Sequence, residues 1–390
     1  SQLMPEYKIK FNREELGGAF GDIGTDLPLL VAMIAAASLN ASSVFIVFGI
    51  LQIATGYSYK MPMPVQPLKA MATIVITQKI LGPVLLAAGL SIGILFFYLS
   101  LSGLLDTLAK MIPKAVVRGL QMGLGISLCI LAGKEYISAM GIPGYLLATG
   151  GFFIILLLLS QKKIPASLLV IALGIIYALL FDRERIQISG PSSISFLFLS
   201  QLNMDIFLKG FLLLTLPQIP LSLGNSLLAT HQLSKDLYPD RKDITIRKLG
   251  ITYGLMNIVS PWLGGVPVCH GAGGMMGHYT MGGRTGGSVI IYGLIFLISG
   301  LLFGSHIEAI IHVFPLPILG VILLVEGFAL IALVRDMVYS KRMLAITLLT
   351  AIIAFSVPYG FLIALIVGTL TYYARLRIES MIDSMPDQKK

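Results

Sequence analysis

The sequence predicts an all-α polytopic membrane protein with fourteen transmembrane segments, and three observations carry the prediction. First, 56% of the 390 residues are hydrophobic and 12% charged, with a mean hydropathy of +0.88; soluble domains carry about 25% charged residues. Second, apolar runs such as Val84–Leu105, Gly151–Leu159 and Ser288–Phe303 recur along the chain, as multi-pass helical proteins require. Third, the cations are lopsided. Of 28 lysines and arginines, 22 fall on the side of the termini and four (Lys79, Lys134, Arg183, Arg185) on the other, with Lys69 and Lys209 within or at the start of spans. That bias places both termini in the cytoplasm. The polar first fifteen residues read as no cleavable signal sequence.

The first seven spans are expected near 17–37, 42–59, 64–78, 84–105, 115–132, 144–160 and 164–181. The second seven follow near 208–230, 248–263, 267–281, 286–304, 316–334, 342–357 and 359–376. Two landmarks relate the sets. Pro64-Val65-Gln66 aligns with Pro267-Val268-Cys269 at an offset of 203, and Ile112-Pro113 with Phe314-Pro315 at 202. Seven spans per half invert the second copy, so the chain reads as 7+7 inverted repeats of the kind found in secondary transporters. Spans three and ten are broken by proline and glycine in corresponding places, which marks them as half-helices flanking a midplane site.

Helix starts expose unpaired N–H groups and a positive dipole end, which suits an anion. The starts are expected near Pro64–Pro67 and Pro267–Gly271. Gln66, Pro67, Cys269, His270 and Gly271 then become candidate substrate contacts, His270 being equally readable as a buried histidine bonded to a backbone carbonyl. Cys269 reads more simply as a small packing residue than as a reactive thiol. Span eight adds Gln218 and Asn225 as donors, and Ser222 as a residue that caps or packs. Span one adds Thr25, with Asp22 and Asp26 four apart on one helical face. Asp22 could carry a coupling proton or cation, pair with Lys69 or Arg118, or cap a helix. Arg118 and Glu326, in spans five and twelve, are candidates for coupling or gating, as is Lys69. The charged stretch Ser234–Lys248 reads as a solvated loop.

Other classes fit poorly. The net charge of +9 is spread over short loops, so topology explains it better than nucleic acid does. Cys129 and Cys269 imply no disulfide framework. A Cys269/His270/His278 metal site lacks a fourth ligand. No nucleophile–base set suggests an enzyme, and no cofactor is expected.

The motifs GDIGTDLP (21–28), MPMPVQPLKA (61–70), IPKAVVRGLQMGLG (112–125), PQIPLSLGNS (217–226), GGVPVCHGAGG (264–274) and GGRTGGS (282–288) resemble the molybdate transporter family, a branch of the SulP sulfate-permease superfamily. The resemblance implies a core domain of residues 14–108 and 208–305 that carries the site, and a gate domain of residues 109–181 and 306–378. It also implies a branch without a STAS domain after the last span. Asp26 departs from the pattern by placing a carboxylate where an apolar residue is expected. The function implied is secondary active transport of a tetrahedral oxyanion by alternating access, molybdate first and sulfate or tungstate next. The partners are the oxyanion and the bilayer. Coupling to H+ or Na+, a homodimer, and an anion channel of the same fold stay open. A nucleobase carrier would be expected to show acidic residues where Gln218 and His270 stand.

Overall fold

The computed structural model describes residues 7–158, 165–188, 190–191, 194 and 201–383. Its helices run α1 Arg13–Ala19, α2 Ile23–Ala37, α3 Ala41–Tyr59, α4 Lys69–Gln78, α5 Gly82–Ser102, α6 Leu105–Met111, α7 Lys114–Leu131, α8 Gly141–Leu158 and α9 Ala166–Phe181. The second half contains α10 Met204–Gly210, α11 Leu216–Leu221, α12 Ala229–Leu237, α13 Ile246–Trp262, α14 Ala272–Thr280, α15 Gly287–Val313, α16 Leu316–Ala332, α17 Lys341–Ser356 and α18 Gly360–Asp383. Two π-helical segments, Phe211–Thr215 and Ser222–Leu228, join α10 to α11 and α11 to α12 in one continuous helix. The fold is that of an all-helical membrane protein. Among the described residues, eight helical stretches are long and apolar enough to cross a bilayer alone. The junction expected between spans six and seven, residues 159–164, lies outside the described residues.

The expected half-helices are the short α4 and α14, of 10 and 9 residues, but they begin later than the sequence suggests. Leu68 and Gly271 are the caps. Before them lie two short strands, β1 Gln66–Pro67 and β2 Val268–Cys269. Proline explains the delay: Pro64, Pro67 and Pro267 lack a backbone donor and push the residue before them toward extended geometry. The strands pair antiparallel, Gln66 opposite Cys269 and Pro67 opposite Val268. Gln66 therefore faces the residue 203 positions further on, which a local two-fold axis between them requires.

Irregular backbone at membrane depth needs internal partners, and two amides supply them. Gln52 of α3 donates from Nε2 to the Val65 carbonyl at 2.6 Å, and its Oε1 accepts from Val65 N at 3.0 Å. Asn257 of α13 does the same for Val268, donating to its carbonyl at 2.7 Å and accepting from its N–H at 2.8 Å. Each half thus clamps the valine of its own PV motif from the preceding long helix. Both amides are fully buried.

The long helices flank this crossing. α3 packs along α15 and α5 along α13, while α7, α16, α17 and α18 form a second group with α8 on α16. Glycine lets the first pairs approach closely: a Cβ on Gly49 would stand 2.5 Å from the Gly293 carbonyl, and one on Gly254 2.7 Å from the Phe97 Cβ.

Two loops are tied more firmly than their polarity suggests. Arg241, in the stretch read as a solvated loop, is 6% exposed. It donates to the Tyr59 carbonyl at 2.7 Å and pairs with Asp243, docking the loop on the end of α3. Glu15 of α1 is 1% exposed and accepts from the backbone N–H groups of Arg284, Thr285 and Ser288 at 2.9, 3.0 and 2.9 Å. Hydrogen bonds to a charged acceptor contribute about 1.5–3 kcal/mol each. Glu15→Gln, with one carboxylate oxygen replaced by a donor, is expected to lower stability by about 2 kcal/mol, readable as a drop in melting temperature in detergent. An unchanged melting temperature would count against this tie.

Candidate functional site

A cavity of about 250 Å³ is lined by both half-helix starts, with Lys69 from α4 and Gly271, Ala272 and Gly273 from the start of α14. Gln66 and Cys269 of the paired strands form part of the same wall, and Gln218, Asn225, Arg118 and Gln121 close it from the other elements. Two positive side chains line it and no carboxylate does. Two helix N-termini add unpaired donors and positive dipole ends. The cavity offers positive charge and hydrogen-bond donors without a carboxylate, the chemistry that suits an anion.

The structure sorts the expected contacts. Gln66, Cys269, Gly271, Gln218, Asn225, Lys69 and Arg118 share the cavity; Pro67, His270, Thr25, Asp22 and Glu326 are not among its lining residues. His270 is fully buried behind it, with Nδ1 3.0 Å from the Pro64 carbonyl and Nε2 2.6 Å from Thr252 Oγ1. Both ring nitrogens are occupied, so His270 is a strut between the strand crossing and α13 rather than an anion contact. Pro67 lies in the strand pair opposite Val268. Thr25 and Glu326 are half-buried outside the lining.

Two amides play different roles from those expected. Gln66 Nε2 donates to Asp22 Oδ1 and Oδ2 at 2.8 and 2.9 Å. Its donor end is therefore turned away, and its Oε1 lies against Gly271, where a Cβ would approach to 1.7 Å. Asp22 is thus bonded to Gln66 rather than to Lys69 or Arg118. Gln218 Oε1 accepts from Met71 N at 3.0 Å, and its Nε2 donates to Ser222 Oγ at 3.1 Å. Gln218 caps the first turn of α4 and leaves the N–H groups of Lys69 and Ala70 for a ligand.

Arg118 is anchored before any ligand arrives. It holds Asp336 through Nε at 3.0 Å and through a terminal nitrogen at 2.8 Å, and it donates to Gln121 Oε1 at 2.9 Å. Lys69 lines the cavity and forms no ion pair among the described residues. Gln121, Ser226 and Ala272 also line the wall, which their sequence context alone did not mark. Ser226 and Asn225 sit in the π-helical stretch Ser222–Leu228 that follows Pro220. The widened turn re-aims these side chains, and such turns mark functional sites often; the LPQIPLSLGNS proline pair was the available signal.

A second space of about 540 Å³ shares Arg118, Asn225 and Ala229 with the first and is lined further out by Lys114, His231 and Gln232. The two together lead from the half-helix starts to the face where α12 ends. Tyr238 just beyond α12 donates to the Arg284 carbonyl at 2.9 Å, and Arg284 N donates to Glu15, so this is also the face that carries α1.

A polar, positively charged cavity between two broken helices, inside an all-helical membrane protein, is the build of an anion transporter. The solved structures agree on the fold. The chain superposes on the transmembrane domain of a cyanobacterial bicarbonate transporter, BicA, with TM-score 0.67 at 19% identity, covering 93% of this chain and 98% of that one. It also superposes on murine Slc26a9, an anion transporter in the inward-facing state, with TM-score 0.72 at 13% identity, covering 96% and 70%. The sequence comparison is more specific. The family described as "Molybdate transporter of MFS superfamily" matches residues 14–128 and 210–330. Molybdate transporter 1 of Arabidopsis thaliana is 34% identical, over 83% of this chain and 80% of its own length. Molybdate transporter 2 of the same plant is 32% identical over 95% and 92%. Molybdate transporter 1 of Chlamydomonas reinhardtii is 25% identical over 90% of each. The chain belongs to the molybdate transporter family, on a SulP-type fold.

Proposed function

We propose that this chain is a secondary active transporter of molybdate, which it binds between the starts of α4 and α14. The observation that carries the reading is the cavity that joins both half-helix starts to Lys69 with no carboxylate on its wall. A tetrahedral dianion accepts many hydrogen bonds at once. The free N–H groups of Lys69 and Ala70 on one side, and of Ala272 and Gly273 on the other, offer donors from opposite directions. Lys69 supplies full charge, and Asn225 and Ser226 supply neutral donors. Helix-terminus donors need little reorganisation, so the anion's hydration shell is replaced by fixed dipoles. The names of the plant and algal relatives favour molybdate over sulfate.

Alternating access follows from the division into a core of residues 14–108 and 208–305 and a gate of 109–181 and 306–378. The half-helices and their clamps belong to the core. Arg118 and Asp336 lie on the gate side and hold one another, so the gate presents a neutralised wall while the core presents the charged pocket. Rigid displacement of core against gate would carry the anion from the α12 face to the opposite one. With both termini cytoplasmic, as the cation bias indicates, the present opening faces the cytoplasm.

Gly273 gives a direct test. A Cβ there would meet nothing within 4 Å, so Gly273→Ala adds a methyl group to the binding space without a protein clash. Molybdate affinity is expected to fall about tenfold, roughly 1.4 kcal/mol, with the melting temperature unchanged, as read by titration calorimetry on the purified protein. Unchanged affinity would place the anion elsewhere. In vesicles, uptake of molybdate should saturate and accelerate when molybdate is preloaded inside; flux that grows linearly without exchange would instead identify a channel.

A further inference from the structure

Behind Gln66 lies a polar chain that anion binding alone does not use. Asp22 and Asp26, both buried, lie one helical turn apart, the Asp26 N–H donating to the Asp22 carbonyl at 3.1 Å. Tyr292 of α15 donates to Asp26 Oδ2 at 3.0 Å. The His278 ring of α14 packs edge-on against Tyr292, with centroids 5.6 Å apart. Ser288 lies one turn before Tyr292 on α15, and its own N–H is held by Glu15 at the terminal face.

Among the described residues, the buried side-chain atoms without a hydrogen-bond partner are Asp26 Oδ1, both ring nitrogens of His278 and Ser288 Oγ. They fall in this one chain. His278 and Ser288 are 0% exposed, and the Gly18 carbonyl is the near neighbour of the His278 ring. An unsatisfied buried polar atom costs about 1–3 kcal/mol, and native interiors meet such atoms with ordered water that makes two to four hydrogen bonds. Here the orphans mix acceptors and donors and run from the back of the anion site to the loop that Glu15 holds. Two buried carboxylates one helical turn apart repel strongly when both are ionised.

We propose that Asp26, Tyr292, His278 and Ser288 form a water-bridged proton path through the body of the core, ending on a proton shared by Asp22 and Asp26. The path opens at the terminal face, where protons exchange past Ser288 and His278. Tyr292 passes its hydroxyl proton to Asp26 and takes one from the water beside it, so no net charge is left on the ring. Asp26 and Asp22 then hold the proton between them. Gln66 reports the change to the anion cavity, because its amide is oriented by Asp22. Lys69 of α4, Glu326 of α16 and Cys269 of β2 also face the pair. The proton held there neutralises part of the charge behind the molybdate site. The route is separate from the anion's own, which leads out past Arg118 and His231.

The coupling half of this proposal rests on the transport reading, whereas the path itself can be tested without any anion. The purified protein in lipid should show an infrared carbonyl band of a buried protonated carboxyl that is lost in Asp26→Asn. Its exchange with D2O should slow at least tenfold in Ser288→Ala and in Tyr292→Phe, a variant that keeps the ring packed against Phe48 and Phe296. Absence of the band, or exchange as fast in both variants as in the unaltered protein, overturns the path. In vesicles, a pH gradient, acid outside and neutral inside, should accelerate molybdate uptake by the unaltered protein, and both variants should lose that acceleration while keeping molybdate affinity within about threefold. Retained acceleration in both also overturns it. If the infrared results hold and molybdate is not bound at all, the substrate assignment fails and the path stands.

Discussion

Lys69→Met is expected to weaken molybdate binding about a hundredfold, roughly 2.7 kcal/mol, while the protein keeps its melting temperature. The side chain has no ion pair among the described residues, so removing its charge breaks no salt bridge, although it also faces Asp22 and Glu326. Opposite unit charges 4 Å apart attract by about 4 kcal/mol at the effective dielectric of a partly solvated site, and part of that is offset by desolvating the ammonium. Lys69→Arg should recover much of the loss, because it restores charge and adds donors. Arg118→Ala is the instructive contrast. Arg118 is committed to Asp336 and Gln121, and Lys114 also reaches Asp336 at 2.8 Å. Its removal should disturb the α7–α16 contact as well as affinity. Calorimetric titration beside a melting curve separates the two effects, and unchanged affinity in Lys69→Met would remove it from the site.

Asn257→Leu is expected to destabilise the protein by about 2–6 kcal/mol, because the Val268 N–H and carbonyl would both lose their partners in a dry interior at roughly 1–3 kcal/mol each. Leucine is close in size to asparagine, so the effect isolates the hydrogen bonds. Gln52→Leu should behave alike at Val65 on the other side of the local axis. The strand crossing would slip, and with it the relative position of the two half-helix starts, so anion binding should fall even at temperatures where the variant stays folded. Asn257→Gln offers a longer amide and should rescue stability in part. Thermal melting in detergent, followed by molybdate titration below the midpoint, reads both consequences; melting curves indistinguishable from the unaltered protein would show that the clamps are dispensable.

Much of this architecture could be read from residues alone because the bilayer leaves few alternatives. Apolar runs must be helices, and prolines and glycines inside them must line a cavity, so the PV motifs at Pro64 and Pro267 pointed to the paired half-helices directly. The roles within the site were less legible. Whether Gln66 turns its nitrogen or its oxygen to the cavity depends on Asp22, a residue 44 positions away, and nothing local records that choice. His270 read equally as a ligand and as a buried histidine bonded to a backbone carbonyl, and only the extended backbone of β2, which sends its ring to Pro64 and Thr252, decides between them. The clamps escaped notice because a glutamine or asparagine in a long helix reads as a minor polar interruption until its partner backbone is known. Helix starts were placed too early for the same reason: prolines break helices, but how far the extended stretch continues is set by pairing with another part of the chain.

A tetrahedral oxyanion bound between the starts of α4 and α14 can be located directly. Molybdenum and tungsten both scatter X-rays anomalously, so crystals grown with molybdate or tungstate can locate the anion without ambiguity. One anomalous peak is expected in the cavity, within hydrogen-bond distance of the Gly273 N–H and the Lys69 ammonium, and it should be lost in crystals of Lys69→Met. A peak confined to the outer space beside Lys114 and His231, with the half-helix cavity empty at saturating molybdate, would contradict that placement.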